Sequence, residues 1–547
     1  MVKYNSVDEL PEEVKNAIEP YFTSLIDQTY GIKGLPPQLA AALQARTCRT
    51  EADSRLTLAN EFLDEDLNLL DEKGARMMDR VINKIGHASP GEFASVQIGV
   101  QRASQILIKA VEGPRIGGSP MEKSTRYVPL NVRDSDGRWP YFRPPEIMER
   151  HGGEFESFGD FCFEVYSEAF PLAERFFMEV LPRDSFSIEV QREGGAVRLL
   201  EDELENKAQK TKFALAYEDT IKCAACDLVR GPLPAATFGN VVISENGRHA
   251  TNLYSQLLTS PLEELVQRGE EMNAVANESI ASLVKKVRVL DEHQIRDEKL
   301  LAIADNLFAG MDVGGGWVTL IDPKDRFTEI ISYALFPHSR IPLQGIVDTV
   351  EPLDLNQKEN ILDIYDGGRP SYHYTSGRAL EAGYQIILEI VCPFSEHRDL
   401  QRHRMMTQQR QLLTTKLGFV IPPEIEQLGL TDEFGEVAQR ADAFYDKLID
   451  DGLVYPAQYV TTFGNRTRFY MGMNDRQFQT MAELRTQSGN HARNRSTMLE
   501  AVRLVTGRDP FAAGYLKFVD SSDPDNMIAR ATEQAKTAGR DLRDGFE

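Results

Sequence analysis

The sequence predicts an α+β protein made of two tandem domains of one kind, each helix-rich with small sheets, packed together as a pseudo-dimer. Three observations carry this. The chain has 547 residues, well beyond the roughly 250–300 at which a single core stops growing. Apolar residues recur mostly at helical spacing, with only short stretches that alternate like strands. The same order of parts occurs twice: an apolar helix, a polar ligand-type loop, helices, a proline break and an Asn-x-Arg helix. A period this long is not a solenoid repeat. Two copies in one chain are expected to pack as the subunits of a homodimer do.

The first half contains helical periodicity over 8–30, 39–46 and 51–83, with Pro36-Pro37 as a break. An apolar-periodic stretch ending near Val111 reads as a long helix. A Gly/Pro-rich loop (Gly113, Pro114, Gly117, Gly118, Pro120) leads to Glu122-Lys123-Ser124-Thr125-Arg126-Tyr127. Glycine N–H groups, hydroxyls and an arginine suit phosphate, although Gly/Pro loops mostly just turn. Residues 155–182 read as an aromatic-rich helix, and 183–203 as a hairpin around Ser187–Val190 and Ala196–Leu199. A helix over 211–230 ends in Arg230, with Pro232 and Pro234 beyond, and Asn246-Gly247-Arg248 opens the next. The Glu/Lys-rich helical stretch 261–310 reads as a linker. The domains are accordingly placed at 1–285 and 286–547.

In the second half, Trp317 to Asp322 reads as a strand and Asp325 to Ala334 as the next element. The apolar run 379–394 reads as a buried helix. Helices are expected over 432–450 and, after Pro456, over 468–484. Between them lies the most unusual stretch, 396–414, in which four arginines and two histidines fall within fifteen residues of an otherwise acidic chain. Its centre is Arg402-His403-Arg404. Such a cationic cluster at the end of an apolar helix is either a solvated helix end, with Arg and His offsetting the C-terminal dipole, or a site neutralised by an anion or a planar ligand.

Composition excludes several classes. A formal net charge of −23 repels phosphate backbones, which argues against nucleic acid as a partner. No apolar run is long enough for a membrane span. Five cysteines, sparse and odd in number, fit a reducing cytoplasm. The single Cys223-Ala-Ala-Cys226 has no second pair and reads as helix packing, so no metal is expected.

These motifs resemble the flavin-dependent thymidylate synthase family, a homotetrameric family binding FAD and dUMP where subunits meet. Arg402-His403-Arg404 resembles the family's Arg-His-Arg, which touches flavin and nucleotide. Asn474-Asp475-Arg476 is similar to its Asn-Ala-Arg on a flavin-contacting helix. Leu484-Arg485 resembles its Leu-Arg, whose arginine sits on the uracil edge, and His491 its flavin-contacting histidine, two residues displaced. In the first half, Glu122, Ser124 and Arg126 match the Glu-x-Ser-x-Arg-Tyr that holds the nucleotide, and Arg230 its second phosphate arginine. Gly86-His87-Ala88-Ser89 to Glu92 resembles the family's His-x-Ser-x-x-Glu.

The departures are complementary. The first half has Lys109-Ala110-Val111 where Arg-His-Arg is expected. The second has Arg410 to Leu413 in place of Ser-x-Arg-Tyr, and Gly452 in place of the phosphate arginine. Asp399 stands where the family has Gln near the nucleotide, and a carboxylate cannot donate as an amide does. The resemblance implies reductive methylation of dUMP to dTMP with FAD as cofactor and NADPH and methylene-tetrahydrofolate as co-substrates. Arg485 would be the catalytic residue. Arg402, His403, Arg404, Asn474, Arg476 and His491 would hold the cofactor. Glu122, Ser124, Arg126, Arg230, Asp399, Arg402 and Arg485 would hold the substrate. It implies a homodimer equivalent to the family's tetramer. The alternatives are a flavoenzyme acting on C5 of another pyrimidine nucleotide, and a non-catalytic flavin- or nucleotide-binding relative.

Overall fold

A computed structural model describes residues 4–192, 195–369, 376–524 and 535–538. The chain is α+β, as expected, and forms two compact units, each assembled from separated stretches: 1–101, 110–122 and 240–294 in one, 102–109, 123–239 and 295–547 in the other.

The first unit holds a three-stranded sheet in the order β1-β5-β2, where β1 is Ser95–Ala103, β2 Gly118–Glu122 and β5 Gly239–Asn246. The long helix expected before Val111 is instead strand β1 followed by the short helix Gln105–Val111. Val96, Ile98 and Val100 alternate with polar or small residues, a period of two that favours the pleated form. The glycine-rich loop serves packing. Cβ atoms on Gly117 and Gly118 would sit 2.7 Å from Asn246 Nδ2 and 2.5 Å from His249 Nε2. Asn246 caps the helix Gly247–Leu258 by accepting from His249 N–H, as its position before the helix predicts. Nearby, His249 Nδ1 and the Tyr254 hydroxyl share the buried Glu245 carboxylate at 2.6 and 2.7 Å.

The second unit holds the hairpin β3 (Ile188–Arg192) and β4 (Gly195–Leu199), whose tip at 193–194 lies outside the described residues. It also holds a four-stranded sheet in the order β6-β7-β9-β8. Here β6 is Val318–Ile321, β7 Ile386–Pro393, β8 Thr407–Arg410 and β9 Arg466–Met473. Two expectations are corrected. The apolar run 379–394 is not a helix: it is dominated by strand β7, buried at every position. It pairs with neighbours on both sides and is packed by one core through Ile387 and another through Ile386, Leu388 and Ile390. Burial on both faces removes alternation, so its periodicity cannot distinguish a strand from a buried helix. Likewise 468–484 is strand β9 followed by the helix Asp475–Arg485, with Asn474 as its cap.

The helices expected over 155–182, 211–230 and 432–450 occur as Pro145–Val180, Lys207–Val229 and Thr431–Asp450, and the element expected over 325–334 is the helix Arg326–Leu335. Cys223 and Cys226 are buried within the second of these. No described helix is long and apolar enough to cross a membrane.

The two halves repeat an order of elements. Strand β1, a short helix, β2, long helices, β5 and a capped helix are matched by β7, a short helix, β8, a long helix, β9 and a capped helix. The sheet orders β1-β5-β2 and β7-β9-β8 correspond. Within the second unit, similar stretches from the two halves run antiparallel: Pro234 bridges Thr462, Ala235 N–H donates to Thr461 O at 2.7 Å, and Phe463 N–H donates to Leu233 O at 2.8 Å. Thr237-Phe238-Gly239 and Thr462-Phe463-Gly464 are the same triplet.

Candidate active site

Strand β7 ends at Pro393, and the helix Phe394–Leu400 that follows is buried throughout. It delivers Glu396, Arg398 and Asp399 in succession, then turns at Gln401 so that Arg402, His403 and Arg404 cross to β8. The helix Lys207–Val229 brings Asp227 and, at its C-cap, Arg230. The segment after Lys123 brings Thr125 and Arg126, with Ser124 Oγ accepting from Arg126 N–H at 3.2 Å.

These groups form one polar network. Arg126 grips Asp227 in a fork, with Nε 2.9 and 2.8 Å from the two carboxylate oxygens and Nη2 at 2.7 Å. Arg230 Nη1 lies 3.4 Å from the same carboxylate. Burial opposes ionisation of Asp227, but Arg126, Arg230 and His491 outweigh it and hold the carboxyl well below its usual range. Arg230 is only 3% exposed, and its Nη2 has no hydrogen-bond partner. Arg398 Nη1 donates to Thr125 Oγ1 at 2.8 Å.

Arg485, last in its helix, donates through Nε to His403 Nε2 at 2.7 Å and through Nη2 to Asp399 O at 2.6 Å. Burial, with Arg485 alongside, depresses His403 to about 3. The ring is therefore neutral, with its proton on Nδ1 because Nε2 accepts. The Asp399 carboxylate receives Asn494 Nδ2 at 3.3 Å. Burial would raise its pKa, but Arg126, Arg230, Arg402 and Arg485 keep it low. Arg402 Nη1 stands 3.8 Å from Asp399 and its side chain is 46% exposed.

A cavity of about 630 Å³ opens beside this network. Arg126, Asp227, Glu396, Arg466, His491, Arg493 and Trp317 are among its walls. His491 caps the helix Ala492–Arg508, its Nδ1 accepting from Arg493 N–H at 3.2 Å. Burial lowers its pKa to about 4.

The structure thus gathers Ser124, Arg126, Arg230, Asp399, Arg402, His403, Arg485 and His491, with Arg404 in the same turn. It does not gather Asn474 and Arg476. Asn474 spends its side chain accepting from Gln477 N–H at 3.0 Å. Arg476 is exposed. Both sit at the opposite end of Arg485's helix, about 16 and 13 Å away by helical rise. Glu122 closes strand β2 in the first unit, opposite Val241. Sequence inspection missed Asp227, Glu396, Arg398 and Asn494. Only Asp227, three residues before Arg230 and so on the same helix face, carried a usable spacing.

The sequence profile described as thymidylate synthase complementing protein matches residues 25–286 and 377–511. The chain belongs to this family. Both matched segments contribute to the network: the first carries Arg126, Asp227 and Arg230, and the second Arg402 to Arg404, Arg485 and His491. The chain is also 29% identical over 536 residues to a UPF0159 protein of Chlamydia muridarum, covering 94% of this chain and 96% of the relative. A UPF0159 protein of Chlamydia pneumoniae is 29% identical, with 93% and 95% covered. UPF0159 protein Ta1429 of Thermoplasma acidophilum is 26% identical over 456 residues, with 81% and 88% covered. The chain therefore resembles these relatives along most of its length.

Proposed function

We propose that the chain is a flavin-dependent thymidylate synthase of fused, two-copy type, converting dUMP to dTMP with methylene-tetrahydrofolate and NADPH. The observation that supports this is the meeting of Arg126, Asp227 and Arg230 with the Asp399, His403 and Arg485 group in one network, with Arg126 and Asp227 on the wall of the adjoining cavity. The donor set fits an anionic nucleotide: Arg230 Nη2 is buried without a partner, and Arg126 stands on the cavity wall. Arg126 and Arg230 grip the phosphate, and Ser124 adds a hydroxyl. Asp227 holds both guanidinium groups in place until then.

Arg485 faces the pyrimidine and stabilises negative charge developing on the ring, an effect worth about 3 kcal/mol for comparable oxyanion donors. Neutral His403 accepts from Arg485 Nε and so fixes the direction of that fork. The cavity is also of the size that cofactor sites have. Arg402, His403, Arg404 and His491 are the residues that would hold FAD, and Asn474 and Arg476 would meet the far end of an extended dinucleotide. FAD supplies hydride chemistry, while the protein supplies orientation and charge. No activated cysteine is needed, and Cys392, beside the site, is held as a thiol by burial.

Asp399 favours a second reading, a related flavoenzyme acting on C5 of another pyrimidine nucleotide. The carboxylate accepts where an amide would also donate. Rescue of a thymidine-requiring bacterium tests the first reading. Growth without thymidine supports it. A yellow, flavin-bearing protein that fails to rescue supports the second. A colourless protein that fails to rescue sinks both.

A further inference from the structure

The sheet of the first unit ends in two edge strands, β1 and β2. An edge strand offers a row of backbone N–H and C=O groups to any other chain, and native proteins blunt such edges with brevity, proline or charge. Strand β2 is blunted: it is five residues long and carries Pro120 and Glu122. Strand β1 is not. It runs for nine residues, and from Ser95 to Gln101 it has neither a charge nor a proline. Among the described residues, no backbone hydrogen bond from outside the sheet reaches Ser95 to Gln101.

The twin sheet of the second half is closed at the same place. Strand β7, the counterpart of β1, has the edge away from β9 paired with β6 over Ile387–Ile390. Among the described residues the first half has no such strand. The outer face of its sheet is bare as well. Met121 lies opposite Val242, and a Cβ on Gly99 would stand 3.9 Å from Val242 Cγ2, so these three form one row across the sheet. Met121 is 78% exposed and Val242 46%. Counted from the caps Asn246 and Asn474, Val242 corresponds to Tyr470, which is buried against Tyr333 and Phe336. Charge indicates the partner that fits. With a net −23, two copies of this chain repel unless they meet on an uncharged strip. Ser95–Gln101 is such a strip, and a strand that pairs with itself satisfies a two-fold axis.

We propose that β1 is a docking edge for the same strand of a second copy, the two pairing antiparallel about a two-fold axis near Ile98 and Gly99 and joining two sheets into one. Val96, Ile98 and Val100 then continue their apolar underside across the axis. Gln97, Gly99 and Gln101 line the other face, where the amide side chains can bond to one another. The inference is independent of the synthase reading, since it uses no residue of that site.

The test is light scattering of the full-length protein over a range of concentrations, for the parent and for two double variants, Gln97→Lys with Gln101→Lys and Gln97→Glu with Gln101→Glu. The parent is expected to be a dimer. Each variant alone sets like charges across the axis and should raise the dimer dissociation constant about tenfold. Mixing the Lys and Glu variants sets opposite charges across it and should restore the parent's value, which damage confined to one chain would not allow. A parent that is a monomer throughout, a dimer that neither variant weakens, or a weakening that mixing does not repair overturns the proposal. Should a variant fail to fold by circular dichroism, hydrogen exchange of the parent decides. In a paired strand every amide from Val96 to Gln101 is protected, whereas an open antiparallel edge leaves alternate amides exchanging freely. Alternating protection overturns the proposal. Flavin content and thymidine rescue, measured separately, report on the synthase reading alone.

Discussion

Arg126 and Arg230 have different surroundings, so their loss should differ. Removing either deletes a charged contact to phosphate and should weaken nucleotide binding about ten- to a hundredfold, measured by titration. Arg126→Ala also strips Asp227 of its fork and should lower the unfolding temperature. Arg230→Ala vacates a guanidinium already short of one partner and should lower it less. Normal nucleotide affinity in both would move the phosphate site elsewhere. Arg402→Ala or Arg404→Ala should reduce bound flavin, read from absorbance, since a cationic contact is lost; unchanged flavin in both counts against the cofactor assignment. The titrating groups give a third prediction. His403 and His491 are depressed to about 3 and about 4. Between those values and the ordinary 6.5, the unfolded chain binds protons that the folded chain excludes. Their contribution to stability therefore rises with pH across that window and is lost on acidification. Glu396, raised to about 7, acts oppositely between its ordinary 4.5 and 7: the folded chain keeps a proton that the unfolded chain has released, so its contribution falls as pH rises. Each such proton tilts stability by roughly 1.4 kcal/mol per pH unit. Denaturant unfolding between about pH 5 and 6 should show a shallower rise for His403→Gln and a steeper one for Glu396→Gln than for the parent. Identical slopes would mean that these groups titrate normally.

At the scale of the element, Asn474 separates two roles. As a helix cap alone, its replacement by Ala should cost about 1 kcal/mol, and Ser should restore most of it. If Asn474 also meets a cofactor, flavin content should drop in both variants. Flavin retained in both confines it to capping. The helices were mostly legible in the sequence, because amphipathic spacing and proline breaks survive in any context. The central strands were not. Strand β7 is apolar at nearly every position because both of its faces are covered, and that covering is tertiary information. Part of the site was legible for a similar reason: Arg402-His403-Arg404 and Ser124-x-Arg126 are contiguous. Arg398 and Asn494 acquire meaning only when separate elements meet, and no spacing within one element announces that; Asp227 alone stood at a helical spacing from Arg230. The glycine-rich loop misled in the other direction, since its glycines make room for Asn246 and His249.

At the scale of the whole molecule, each chain supplies one assembled network, built from residues of both halves. The equivalent of Arg485 in the first half, counted from Asn246 as from Asn474, is Leu257, which is buried. One FAD per chain is the expected stoichiometry, in a homodimer equivalent to a four-copy assembly. Light scattering combined with flavin release and quantification measures both quantities. Two flavins per chain would mean that the first half retains a site of its own, and a fully active monomer would remove the need for a partner. The antiparallel seam between Leu233–Ala235 and Thr461–Phe463 has a consequence for inheritance. Where identical subunits meet, any substitution at the seam is made on both sides at once, and both must tolerate it. Here each side is encoded separately, so one side can change while the other stays fixed. Arginines lost from one half need not be lost from the other, and specialisation can proceed one residue at a time.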